Sequence, residues 1–586
     1  MKKGAKKAGI AEKFAELTGK TPFAYFLILT SGLVAYIHTV GYTFSPMDDY
    51  WLIQKRVDFL SDISNLPQLF REQMTEVGYS ANYYRPVLNL SFMLEAVIAG
   101  KAPWMYHLGN IMIHLINGLL VFVLLKKFKT GKKTALFLSV LFMVHPVNAQ
   151  AVAWIPGRSD TLMALFLLLS FIFFIRFFRA KKLLYIIPGS FFMLAALLTK
   201  ETAIIAPVIL LVWYFSANRG YIRLIYDIVA MAGMILSIAV WYILRIRVME
   251  GSLTGNGSGI LSNALNYGVE GFLAFTGKAF YPLNTPLTPF INTASVISGI
   301  VFVMVILIAL FYMGCKKRSN AIFGAAWFLL MLLPPLLVKG GANEHWIYPA
   351  LPGFMIFLAS VDYSRIRIHR TGAAVLTIAV LVLFVVRSHA RSAVYKDYDS
   401  FLDEAIDENP GFAMYYDMRG TLMKSRGHYD KALRDYSEAI EINPGKVTFR
   451  LRRATLYASL GEKKKAWEDL SAIISRDSMN TTAYYLRAGL LGETRQYREA
   501  IQDLDHYIRI VLRELGSVEN PSALGNLDKR QIPDNLPAAF NNRGIYHYYL
   551  GNFRKAEKNA KCALSLGYEV SPSFMDSLRI RLQEID

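Results

Sequence analysis

Apolar runs dominate the chain before Arg387, around residues 22–42, 106–125, 134–148, 159–176, 183–198, 202–216, 224–244, 294–314, 321–338, 346–361 and 372–387. A bilayer's hydrocarbon core is crossed by roughly twenty consecutive apolar residues in helical form. Inside it every backbone N–H and C=O needs an internal partner, which leaves helices as the solution for runs of this length. The pattern predicts an all-α polytopic bundle of about 11 spans, of which those at 134–148, 183–198 and 202–216 are short by the twenty-residue criterion. After Arg387 charged residues become frequent, so a soluble part follows.

Charge orients the bundle. The net charge is +20, but much of the Lys and Arg lies in short clusters between apolar runs, such as "KKFKTGKK" (126–133) and "RFFRAKK" (176–182), where it serves topology rather than nucleic acid. With the basic clusters cytoplasmic, the external face receives "MDDYW", "HPVNAQAVAWIPGR", "TKE", the stretch 245–293 and "KGGANEHW". An odd number of spans then puts the soluble part outside as well. The basic, amphipathic start has no small-residue cleavage pattern before its apolar run, which predicts a cytoplasmic segment 1–21 and an uncleaved first span. The expected location is a bacterial inner membrane with a periplasmic tail; an endoplasmic reticulum protein would share this topology. Two cysteines, Cys315 and Cys562, build neither a disulfide framework nor a zinc site.

The tail repeats. Gly420, Ala454 and Ala488 fall in register at steps of 34 residues, as do Ala432, Ala466 and Ala500. That is the tetratricopeptide period. Gly544 and Ala556 follow 56 residues after their predecessors, one period plus an insertion of 22 that contains a loop. The small residues let paired helices approach, and Tyr416, Tyr484, Tyr429, Tyr497 and Phe553 are expected to fill the seams of a soluble α-solenoid with a concave face. The predicted organisation is a transmembrane domain over 22–390 with external loops 43–105 and 245–293, a linker helix over 391–409, and repeats over 410–586.

"FSPMDDYW" (44–51) sets two carboxylates just beyond the first span, where a charged cap facing water is the ordinary reading. Two later segments change that. "YYRPVLNLSFMLEAVIAG" (83–100) is marginally long enough to span and is expected to lie along the interface, roofing a cavity over the aspartates. The stretch 262–290 mixes polar and apolar residues and ends in prolines, as suits a surface loop.

Taken in order, "MDDYW", "YYRPVLNLSF", "YHLGNIMIHLINGLLVFVLL", "HPVNAQAVAWIPGRSDTLMALFLLLSF", "LLTKETAIIAPVILLVWYF" and "EHWIYPALPGFMIFLA", followed by repeats, resemble the GT-C-fold glycosyltransferases that use polyprenyl-phosphate sugars. Within them they resemble the transmembrane and tetratricopeptide-repeat (TMTC) O-mannosyltransferase-like proteins and their bacterial relatives. The resemblance implies transfer of one sugar, mannose or another hexose, with inversion, to a Ser or Thr hydroxyl or a glycan. It implies that the acidic pair serves the acceptor, with Asp48 as base and Asp49 orienting acceptor or backbone. Neighbouring carboxylates raise one pKa, which suits a base near neutrality.

For the departing phosphate the expected outer face offers Arg85, His107, Arg158, Lys200, Glu201, Glu344 and His345. Arg85 can fork a phosphate or anchor on lipid headgroups. Arg158 could instead pair with Asp160, and Lys200 with Glu201. Glu344 and His345 either contact the donor or form a helix cap beside a Trp346 anchor. His114 and Asn117, inside a span, read as an interhelical hydrogen bond. No third and fourth oxygen ligand stands near the aspartates, so no metal or other cofactor is expected. The partners implied are a polyprenyl-phosphate sugar, a protein or glycan acceptor, membrane lipid and a protein on the repeats. Two other readings stand beside this one, a polymerase or ligase of lipid-diphosphate oligosaccharides and a non-enzymatic membrane scaffold.

Overall fold

The computed structural model describes residues 21–45, 48–75, 82–217, 224–249, 257–282, 293–315, 317–339, 343–363, 369–515 and 532–585. The predicted N-terminal segment up to residue 20, the prolines Pro286 and Pro289 that close 262–290, and most of the repeat insertion lie outside these. The chain forms two compact units, Met1–Glu408 and Asn409–Asp586.

The first unit is an all-α membrane region apart from a two-residue antiparallel ladder of Met74–Thr75 with Asn82–Tyr83. Among the described residues six helical segments are long and apolar enough to cross a membrane: Thr21–Gly41, Pro103–Lys127, Ile155–Ala180, Tyr226–Val248, Arg318–Leu337 and Thr371–Ala393. The expected span at 294–314 is the continuous helix Thr293–Met313, and four others are shorter or broken, each for a local reason. The run at 134–148 ends its helix at Met143, before His145 and Pro146. The runs at 183–198 and 202–216 part at Lys200, whose backbone is extended (φ −157°, ψ 130°). The run at 346–361 opens as the 3-10 turns Glu344–Ala350 and continues as Leu351–Ser360. The runs at 134–148, 183–198 and 202–216, short by the twenty-residue criterion, form helices of 12 to 14 residues.

The stretch expected to stay a surface loop is largely helical, over Gly257–Phe280. It packs on Thr293–Met313 through backbone contact: a Cβ on Gly277 would meet the Ser295 carbonyl, and one on Gly299 the Leu273 carbonyl, each at 2.0 Å. The expected interfacial segment forms the helix Pro86–Ala99. Inside the bundle His114 Nδ1 lies 2.8 Å from the Tyr348 hydroxyl, and Asn117 Nδ2 donates to the Thr161 carbonyl at 2.8 Å.

The second unit is a tetratricopeptide solenoid. Helix pairs run Ala413–Ser425 with Tyr429–Ile442, Val447–Ser459 with Lys463–Arg476, Thr481–Glu493 with Tyr497–Glu514, and Asn535–Tyr549 with Phe553–Ser565; Pro572–Gln583 follows. Ala432, Ala466, Ala500 and Ala556 have no exposed surface. A Cβ on Gly420 would sit 2.8 Å from the Tyr436 ring, so the small residues mark where paired helices touch. Tyr484 stacks on His506 and Tyr497 on Tyr549, at 5.2 and 4.9 Å between ring centroids. Tyr429 is 43% exposed and does not fill a seam; it opens its helix, where its side chain stands at the rim.

One periodic feature escapes a reading based on small residues. Arg419 with Asp435, Arg453 with Asp469 and Arg487 with Asp503 each join the two helices of a repeat by paired guanidinium–carboxylate bonds of 2.7–3.1 Å. The fourth repeat keeps the arginine, Arg543, but meets Asn559 at 2.7 Å and reaches Asp505 at 2.6 Å. The turn between paired helices is also periodic: Gly427, Gly461 and Gly551 take φ of +79°, +79° and +74°, and Arg495 stands in the same place at +60°.

Candidate active site

The first span closes in a 3-10 turn, Ile37–Gly41, and the chain runs extended to Ser45 before the short helix Asp48–Leu52. Adjacent helical residues point about 100° apart, and here that separates two fates. Asp49 is 1% exposed, and its Oδ2 accepts from the Ser45 backbone N–H at 2.7 Å and the Ser45 hydroxyl at 3.0 Å. Burial pushes its carboxyl up to about 8, against the pull of the Ser45 bonds and with a smaller push from Asp48. Asp48 lines a cavity of about 540 Å³. The raised carboxyl is thus the enclosed one, and burial rather than the neighbouring charge is the chief cause.

Three kinds of side chain wall that cavity. Trp154, Trp241, Trp346 and Tyr83 give it flat aromatic surfaces, Asp48 and Glu201 give it carboxylates, and Arg85, Lys200, Arg245 and His345 give it nitrogen donors. They come from segments far apart in sequence, gathered because each sits at the end of an apolar helix or in the turn beyond it.

The ion pairs differ from those expected. Arg85 forks Glu201, with Nε to Oε2 at 3.0 Å and Nη2 to Oε1 at 2.7 Å, and its guanidinium lies 4.1 Å from the Tyr83 ring centre. Lys200 does not pair with Glu201; its Nζ donates to both Asp160 oxygens at 2.7 Å. His345 Nε2 is 3.8 Å from Asp160 Oδ2, and its backbone N–H donates to Gln150 Oε1 at 3.0 Å. Arg158 does not pair with Asp160, because residues two apart on a helix do not share a face. It is wholly buried and binds Glu95 Oε2 at 2.5 Å, the Tyr106 carbonyl at 2.6 Å and Asn110 Oδ1 at 2.7 Å.

Asp48, Arg85, Lys200, Glu201 and His345 therefore share the cavity, whereas His107, Arg158 and Glu344 stand outside its lining. His107 is buried 3.3 Å from the Thr43 carbonyl, bracing the chain ahead of the acidic pair. Glu344 Oε1 meets Arg391 Nη2 at 3.0 Å, and Arg391 Nη1 also reaches Glu408 at 3.0 Å. The Thr43 N–H and hydroxyl both donate to the Lys396 carbonyl, at 3.0 and 3.1 Å. Among the described residues no group of three or more His, Cys, Asp or Glu side chains is arranged to hold a metal ion.

Among the wall residues absent from the expected set are Trp241 and Arg245. Both belong to the helix Leu224–Val248. Their signal in the sequence is spacing: an aromatic and a cation one turn apart at the C-terminal end of an apolar run, in "WYILR".

No family model matches the chain. It is 31% identical over 183 residues to the protein O-mannosyl-transferase tmtc2 of Xenopus laevis, covering 30% of this chain and 22% of that protein. It is 34% identical over 151 residues to the human protein O-mannosyl-transferase TMTC2, covering 25% and 18%. A protein O-mannosyl-transferase of Caenorhabditis elegans is 22% identical over 376 residues, covering 60% of this chain and 53% of its own length. The chain thus spans about a fifth to a half of the length of these relatives. A solved tetratricopeptide-repeat protein with an unusual peptide-binding site, YrrB, aligns with 31% of the chain and 97% of its own at 18% identity and a TM-score of 0.21. The resemblance carried by the acidic loop, the ordered motifs and the repeat tail is matched by curated relatives of the TMTC type, all named protein O-mannosyl-transferases.

Proposed function

We propose that the protein is a membrane glycosyltransferase that moves one hexose, mannose or a close relative, from a polyprenyl phosphate to a Ser or Thr hydroxyl of a protein. The observation that carries this reading is the cavity itself: one wall offers Asp48, others offer cations, and aromatic faces lie among them. Sugars pack their C–H faces on aromatic rings, and a phosphate leaving group needs positive charge where its own charge develops.

In this mechanism Asp48 takes the proton of the acceptor hydroxyl as its oxygen attacks the anomeric carbon. The bond from that carbon to the phosphate oxygen breaks, and polyprenyl phosphate leaves carrying the electron pair. Attack from the face opposite the phosphate inverts the anomeric centre. Asp49, enclosed and tied to Ser45, fixes the loop that aims Asp48. The cavity opens to the extracytoplasmic side, the N-terminus lies in the cytoplasm, and the repeats hold a protein partner. A bacterial inner membrane suits the short loops.

The test is sugar transfer by purified protein in lipid, supplied with polyprenyl-phosphate hexoses and an extracytoplasmic protein extract. Asp48→Asn is expected to lower turnover by about 10²- to 10⁴-fold, the range for loss of a general base. Equal transfer by wild type, Asp48→Asn and Asp49→Asn would sink the acidic-loop mechanism.

A further inference from the structure

The cavity wall formed by Leu224–Val248 carries two donors that the described residues leave unanswered. Trp241 is 6% exposed and lines the cavity, and its indole Nε1 is enclosed with no acceptor. One turn on, Arg245 lines the same cavity, and its Nη1 is also enclosed with no acceptor. The guanidinium carbon stands 5.7 Å from the indole centre, so the two share one helical face. A buried donor without a partner costs free energy, and native proteins keep few of them. A pair of them on one turn, on two side chains that line a cavity, points to a ligand whose oxygens they would meet.

Charge narrows the ligand. Arg85 and Lys200 are each satisfied by a carboxylate, Glu201 and Asp160. Among the described residues Arg245 has no carboxylate within salt-bridge distance, so the cavity's uncommitted positive charge is concentrated there. An arginine at the end of a span ordinarily reaches out to lipid headgroups. Arg247, two residues further and exposed, is free to do that; the enclosed Nη1 of Arg245 is not.

We propose that Trp241 and Arg245 form a phosphate cradle, in which Arg245 gives a charge-assisted bond and Trp241 Nε1–H a neutral one to the non-bridging oxygens of a phosphodiester with an apolar tail. Naming that ligand as the polyprenyl-linked sugar donor rests on the function proposed above. The diester carries one negative charge, which one arginine balances. After transfer the departing monoester carries a second, which the same guanidinium is placed to stabilise. A glycerophospholipid headgroup presents the same diester, and the experiment separates the two sources.

Full-length protein in detergent is titrated with polyprenyl phosphate, the donor without its sugar, and binding is read by native mass spectrometry, with phosphatidylglycerol as competitor. Arg245→Met is expected to weaken binding by at least about tenfold. Trp241→Phe, which keeps the ring and removes the donor, is expected to weaken it by about three- to fivefold. Arg245→Lys keeps the charge and retains part of the affinity, while Arg247→Met binds as wild type does. Thermal midpoints equal to wild type exclude misfolding as the cause.

Wild-type affinity in Arg245→Met would overturn the cradle. Displacement of polyprenyl phosphate by equimolar phosphatidylglycerol would overturn its assignment to the donor. Arg245-dependent binding without sugar transfer by the wild type would remove the transferase reading and leave the cradle standing. Normal binding and transfer in Arg245→Met would do the reverse.

Discussion

Both units bury ion pairs, but they build them in opposite ways. In the repeats one design recurs: an arginine on the first helix forks an aspartate 16 residues later on the second, in three successive repeats. Among the described residues of the membrane unit no such series recurs. Arg85 and Glu201 are 116 residues apart, Arg158 and Glu95 63, Arg391 and Glu344 47, and Lys200 and Asp160 40. A recurring short-range pair needs only its own hairpin and serves stability; a singular long-range pair forms only once several helices have assembled. The singular kind is what gathers around the cavity.

That contrast can be broken most sharply at Asp160. Asp160→Ala strands a buried lysine, and removing one partner of a buried pair costs about 3–5 kcal/mol. The expected result is a large fall in the thermal midpoint in detergent, with partial rescue by adding Lys200→Met. A small fall without rescue would mean that the pair is solvated and the contrast is empty.

Asp49 sharpens the comparison as a buried acid held by hydroxyl and backbone rather than by a cation. Its folded pKa, about 8, lies above the ordinary aspartate value of 3.8. Its contribution is therefore fully present below pH 4 and is lost as pH rises toward 8, at most about 1.4 kcal/mol per pH unit. Unfolding measured from pH 5 to 8 should show wild-type stability falling relative to Asp49→Asn as pH rises. Parallel curves would show that the carboxyl is already ionised when folded.

The repeated pairs should answer locally. Asp469→Ala leaves Arg453 without its fork and is expected to cost about 1.5–3 kcal/mol, the range for a charge-assisted bond. Hydrogen exchange should rise mainly in the helices Val447–Ser459 and Lys463–Arg476, as in any array held by nearest neighbours. Loss of protection throughout the membrane unit would contradict the division. The smallest effect is at Arg495, the non-glycine member of the left-handed turn series. Arg495→Gly relieves about 1–2 kcal/mol of strain and adds unfolded-state freedom, for a net gain of roughly 0.5–1 kcal/mol in unfolding free energy.

The same division explains what was legible beforehand. The 34-residue period, the small residues and the membrane character are properties of pattern and could be read directly. The arginine–aspartate series was equally periodic, yet an alignment anchored on glycine and alanine passes over it. Around the cavity Asp48, Arg85, Lys200, Glu201 and His345 could be named from their place beside apolar runs. Their partners could not, because adjacency in sequence favours Arg158 with Asp160 and Lys200 with Glu201, whereas the helix turns the first two apart and the extended backbone at Lys200 parts the second two. His107 and Glu344 shared the same predicted face but lie behind the wall. Trp241 and Arg245 were hidden because an aromatic and an arginine at a span's end look like ordinary membrane anchoring.

The ties made by residues 391–408, at and just beyond the end of the last span, bear on the order of synthesis. Lys396 holds Thr43 ahead of the acidic pair, Arg391 holds Glu344 beside His345, and Glu408 holds Arg391 in turn. A nascent chain that has delivered every earlier span still lacks these three contacts, so the braces behind the acidic pair and His345 form only when the ribosome has passed residue 408. Fragments that stop at the end of the apolar region therefore carry the cavity-lining side chains without the braces that set them.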